Sequence, residues 1–212
     1  MSRPDFVNAL VADLEPVRPN SSWLRAMFSW CLVSWAFVGG AILASGPLRD
    51  GIVAELMGSP RFVLELALGF AAGLAAIWAG FELGVPGARS APRLWTPPLV
   101  LFGAWTLTIA YGLVYPSAPP SMDVKRLHCF IEILLFSLPP YSMALYFLRG
   151  RLAFAQARVG LLVGAAAAAI PALWMHVACR TEALHVLGSH LFPILIVCVL
   201  GAAVAHRLLP RV

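Results

Sequence analysis

The stretch Val159-Gly-Leu-Leu-Val-Gly-Ala-Ala-Ala-Ala-Ala-Ile-Pro-Ala-Leu-Trp-Met-His-Val-Ala178 carries no Asp, Glu, Lys or Arg. At 1.5 Å per residue such a run, wound as a helix, is about 30 Å long, the thickness of a bilayer's hydrocarbon core. Five more apolar runs of similar length flank it, near Ala26 to Gly46, Phe62 to Val85, Leu94 to Tyr115, Cys129 to Leu148 and Leu187 to His206. Composition agrees. The 212 residues are 60% hydrophobic and 12% charged, with a mean hydropathy of +0.83, whereas an average soluble domain is about 25% charged. The expected fold is all-α: a polytopic membrane protein with six transmembrane helices.

Six spans place both termini on one side. Arg3, Arg18, Arg25, Arg89, Arg93, Arg149, Arg151, Arg158, Arg207 and Arg211 fall on that side; Arg49, Arg61, Lys125, Arg126 and Arg180 fall on the other. The positive-inside rule therefore makes both termini cytoplasmic. Topology also accounts for the basic pI of about 9.4, and no recognition motif or basic aromatic patch points to nucleic acid.

The N-terminus lacks a cationic start running into an apolar segment and a small-residue cleavage site, so it reads as part of the mature chain. Residues 1–25 form a cytoplasmic segment, 26–206 the bundle and 207–212 a short tail. Ser2, Pro4 and Asp5 suit a helix start. Phe6, Val7, Leu10, Val11 and Leu14 follow as an apolar stripe at helical spacing, ended by Pro16 and Pro19. Such a stripe can rest on membrane lipid or dock in a partner's groove. Its polar face offers Asn8, Asp13 and Glu15 rather than Lys and Arg, which favours the protein partner.

Four cysteines divide by depth. Cys31 and Cys198 lie inside spans, where a thiol is most often a packing group. Cys129 and Cys179 each stand about 20 residues from the short turn at Arg149 to Gln156, so they return to one depth at the outer ends of antiparallel neighbours. Around them fall His128, Glu132, His176, His185 and His190, with Cys129/Glu132 and His176/Cys179 at spacings that share a helix face. Thiolate and imidazole are the ligands of Zn(II), Cu and similar soft ions, and two thiols at one depth can instead close a disulfide. Spacing alone leaves a structural disulfide, a metal site and a redox switch open.

Glu65 and Glu82 stand within or at the ends of the second span, and an intramembrane carboxylate is a functional candidate. Pro97-Pro98, Pro139-Pro140, Pro171 and Pro193 loosen helices. Gly164 to Ala169 permits close helix approach. Trp23, Trp95 and Trp174 read as interfacial anchors. No nucleotide-binding, hydrolase, zincin or haem-attachment motif is present, so no enzyme class is indicated. Two further classes compete with a regulator: a small metal or solute transporter with a Cys/His-lined site, and a membrane thiol-disulfide oxidoreductase. No inverted repeat with paired broken helices supports the first.

The segments Leu10-Val-Ala-Asp-Leu-Glu-Pro-Val-Arg18, Arg126-Leu-His-Cys-Phe130, Pro139-Pro140, Arg149-Gly-Arg151, His176-x-x-Cys179 and His190-x-x-Pro193, taken in order and spacing, resemble the NrsF-like family of bacterial membrane anti-sigma factors. The resemblance spans the chain and is closest in its last half. It implies a bacterial inner-membrane protein whose N-terminal segment holds an extracytoplasmic-function sigma factor. The contacting region would fall on Asp13 to Val17, including Pro16, with the apolar stripe beside it. It also implies a cysteine pair, Cys129 and Cys179, that answers heavy metal such as Zn, Cu or Cd, or oxidant. Ala178 stands directly before Cys179 where the family pattern has His; the nearest imidazole is that of His176.

Overall fold

The structure, a computed structural model, describes residue 5 and residues 22–46, 48–84, 91–116, 128–149, 155–179 and 182–209. The N-terminal residues singled out above, Phe6, Leu10, Asp13, Leu14, Pro16 and Val17, lie outside the described residues. Among those described there are helices and no strand: α1 Ser22–Ser45, α2 Ile52–Gly58, α3 Pro60–Leu83, α4 Ala91–Val114, α5 Cys129–Leu148, α6 Gln156–Ala178 and α7 Ala183–Leu208. All but α2 are long and apolar enough to cross a membrane. The six expected spans are therefore present.

The seven-residue α2 is an addition. Gly51 opens it at φ 79, a left-handed conformation that glycine adopts without a Cβ clash. Arg49 pairs with Glu55 across its start and braces the turn. Ser59 then caps α3, its Oγ accepting from the Phe62 N–H at 3.3 Å, with Pro60 in the first turn.

Helix α6 is the centre of the bundle. Every residue from Leu162 to Leu173 is buried, and α6 packs on α7, α3, α5 and α1. Small side chains make this geometry available. A Cβ on Gly164 would stand 2.8 Å from the Val197 carbonyl oxygen, and one on Gly201 would stand 2.7 Å from that of Gly160. The backbones of α6 and α7 thus touch, as small residues allow in membrane helices. Tyr141 of α5 seals the crossing by donating to the Gly201 carbonyl at 2.6 Å.

Helix α1 attaches through three tryptophans, Trp30 and Trp35 of its own and Trp174 of α6. Trp30 donates from Nε1 to the Pro140 carbonyl at 2.7 Å. Trp174 of α6 lies over Gly39, where a Cβ would meet its ring at 2.6 Å, and packs against Trp35 with ring centroids 6.0 Å apart. Trp174 is therefore a packing residue between α6 and α1, and the room for its indole comes from the missing side chain at Gly39.

Helix α7 is not uniform. Its regular turn Ala183–His185 passes into a π-helical segment, Val186–Leu191, before the α-helix resumes over Phe192–Leu208. Pro193 supplies a reason: it has no N–H for the ladder, and its ring would press on the carbonyl four residues earlier. The wider turn relieves that crowding, and the Phe192 N–H bonds the Leu187 carbonyl, five residues back.

Candidate thiol and imidazole site

One end of the bundle gathers the start of α3, the finish of α4, the start of α5, the finish of α6 and the start of α7. Cys129 is the first residue of α5. Cys179 caps α6, its N–H still bonded to the Met175 carbonyl at 2.7 Å while its own ψ of −169° turns the chain out of the helix. The two sulfurs are 3.1 Å apart, a contact rather than a covalent bond. Counting residues outward from the α5/α6 turn puts both thiols at this depth, and here they meet.

Two imidazoles complete the group. His185 Nε2 lies 3.3 Å from Cys179 Sγ, and the rings of His185 and His190 meet edge to face at 5.1 Å. Ligand atoms from Cys129, Cys179, His185 and His190 all lie within 4.8 Å of one another. The π turn produces this convergence. In an unbroken α-helix residues five apart point about 140° away from each other, at 3.6 residues per turn; with hydrogen bonds five residues apart, they stack. Cys129, Cys179 and His190 are buried, and His185 is half-buried.

The Cys129 thiol beside it, and behind that His185 and His190, hold the Cys179 thiol far below its usual pKa, against the opposing effect of burial. The thiolate is the form that ligates metal and attacks electrophiles.

A second polar group adjoins the first. Glu65 accepts from Arg61 Nε at 2.9 Å and lies 2.9 Å from His176 Nε2, joining α3 to α6. Arg61 also donates to the Tyr115 carbonyl at 3.0 Å and fits where Gly112 has no side chain. His176 stacks on Phe62 with centroids 5.2 Å apart and turns an edge to His190 at 6.3 Å. The buried Glu65 carboxyl is thereby engaged on both sides.

Of the residues proposed from sequence, the structure groups Cys129, Cys179, His185 and His190. His176 is engaged by Glu65 and stands outside this group. His128 is exposed at the N-cap of α5, and Glu132 is half-buried in its first turn; neither belongs to the group of four. Glu65 drew attention as an acid in an apolar span, but its partners did not. The Arg61/Glu65 spacing of four was the available signal.

Two sulfurs in contact beside two imidazoles can bind a borderline-soft cation or, with a two-electron oxidant, join as a disulfide. No curated protein and no solved structure matches the chain. A family profile described as "Negative regulator of sigma F" (NrsF) matches residues 10–210. That range takes in all six spans and the four convergent ligands, and it carries with it a sigma factor as the regulated partner. The chain belongs to the family of negative regulators of sigma F.

Proposed function

We propose that this chain is an anti-sigma factor of the bacterial inner membrane, with both termini in the cytoplasm. Its segment 1–25 holds an extracytoplasmic-function sigma factor, and the Cys129/Cys179 pair on the periplasmic side prompts release under heavy-metal or oxidative stress. The contact of the two thiols at 3.1 Å, at one end of a chain of this family, carries the reading. A signal acts only if it prefers one of two states of the protein. A bond made at this site ties the start of α5 to the α6/α7 corner, which favours one packing of these helices.

The route inward is short. Trp174 stands five residues before Cys179 and rests on Gly39 of α1, while Trp30 ties α1 to α5. Helix α1 begins at Ser22, so the last residues of the segment assigned to the sigma factor are its first turn. A shift of the outer turn of α6 is therefore felt by the helix that carries the regulatory segment.

Two measurements test this. The sigma factor should co-purify from detergent with the full chain and be lost when residues 1–21 are deleted; retention by the deleted chain would move the partner surface to the cytoplasmic turns. Alkaline phosphatase fused after Ser121 or Thr181 should be active, and after Ser90 or Gln156 inactive. The reverse pattern would put the thiols in the cytosol and end the periplasmic reading.

A further inference from the structure

The contact between the thiols leaves His190 unexplained. Its side chain is fully buried, and among the described residues neither ring nitrogen has a hydrogen-bond partner. An unpaired polar group in such a place is costly, so a buried imidazole of this kind points to something it binds. What it faces is two sulfurs and a second imidazole. A tetrahedral ion with bonds of about 2.3 Å to sulfur and 2.0–2.1 Å to nitrogen separates its ligand atoms by about 3.3–3.8 Å. The observed 3.1 Å and 3.3 Å separations, and the 4.8 Å limit for the whole group, lie within about an ångström of that tetrahedron.

We infer that Cys129, Cys179, His185 and His190 form a tetrahedral site for a borderline-soft divalent cation, Zn2+ or the larger Cd2+. The inference rests on the reading above for its biological meaning and deepens it, by fixing which four side chains ligate and which class of ion they take. Charge supports the set. Two thiolates and two neutral imidazoles cancel the charge of a divalent ion, and a neutral centre is the one that a buried place tolerates. Each thiol still protonated before binding gives up its proton to water, so uptake weakens as pH falls. His176 does not belong to the four residues whose ligand atoms lie within 4.8 Å of one another, and its Nε2 faces the Glu65 carboxylate at 2.9 Å.

The ion would pin α5, the end of α6 and the π turn of α7 at one point. That gives the π turn a purpose: a regular helix over Val186–Leu191 would swing His190 away from His185 and leave three ligands.

The test uses the full-length chain, reduced and stripped of metal, in detergent. Cobalt(II) titrated into it should give the intense visible bands of tetrahedral cobalt with a thiolate charge-transfer band, saturating at one ion per chain and displaced by Zn2+ or Cd2+. His185→Ala and His190→Ala should each weaken binding by about a hundredfold or more, since removing an outer partner of a ligand already costs about ten- to a hundredfold. His128→Ala and Cys198→Ser should leave it unchanged. His190→Cys guards against a folding defect: it should bind one ion and strengthen the charge-transfer band through a third sulfur. Six-coordinate cobalt spectra without thiolate absorption, or affinities indifferent to both histidines, would overturn the site. So would a reduced chain that binds no ion while mild oxidant joins its thiols, an outcome that leaves thiol sensing intact as a disulfide switch. Tight tetrahedral binding that never releases the sigma factor would instead uphold the site and sink the sensing reading.

Discussion

The double variant Leu10→Asp, Leu14→Asp is expected to free the sigma factor in unstressed cells while the protein still reaches the membrane. Both residues belong to the apolar stripe with Phe6, Val7 and Val11, and both precede the first span at Trp23. Insertion depends on the spans and is not touched. A leucine buried in a partner's groove contributes about 1.5–3 kcal/mol, so losing two should lower occupancy of the complex by well over tenfold. A sigma-dependent reporter gives the release, a pull-down the lost contact, and the membrane fraction the unchanged insertion. Wild-type repression by the double variant would return the stripe to the membrane surface. The effect should exceed that of any single substitution in the bundle, since it removes the contact itself rather than its control.

The bundle was legible because hydrocarbon thickness dictates helix length. The run Cys129 to Leu148 is a helix with those same ends, and the first three spans begin or end within three residues of the expected positions. Two features were hidden. Helix α2 has seven residues, too few for a periodic or hydropathic signal. Helix α7 starts at Ala183 rather than Leu187 because its first turn carries His185, whose polarity masks the start of the span.

The candidate site divides in the same manner. The meeting of Cys129 and Cys179 follows from counting 1.5 Å per residue along two helices joined by a short turn. The imidazoles resist that arithmetic. A spacing of three put His176 on the face of Cys179, but α6 ends at Ala178 and the extended backbone of Cys179 turns its sulfur toward α7. His176 meets Glu65 instead. The spacing of five between His185 and His190 says that they diverge on an α-helix; only a π turn, whose cue in sequence is Pro193, makes them neighbours.

Cys129→Ser and Cys179→Ser, alone or combined, are expected to abolish induction by metal or oxidant and to leave basal repression in place. Each serine removes the sulfur that a soft ion or a disulfide requires, whereas the segment proposed to hold the sigma factor is far along the chain. The single variants should be as defective as the double, with induction within about twofold of the unstressed level in all three, because groups acting through one bond are not additive. Cys31→Ser and Cys198→Ser should respond as the wild type does. Cys31 lines an apolar crevice between α1, α3 and α6 with Trp30, Trp35 and Phe70, and Cys198 is buried midway along α7 against the α6 crossing at Gly164. Neither belongs to the thiol and imidazole group. The stressor then separates the chemistries. His190→Ala should blunt the response to Cd2+ far more than the response to a thiol oxidant if the ion is the signal, because disulfide formation needs only the two sulfurs. Normal induction by the double serine variant under both stressors would remove the thiols from sensing altogether. The 3.1 Å contact would then be no more than the packing of two helix ends.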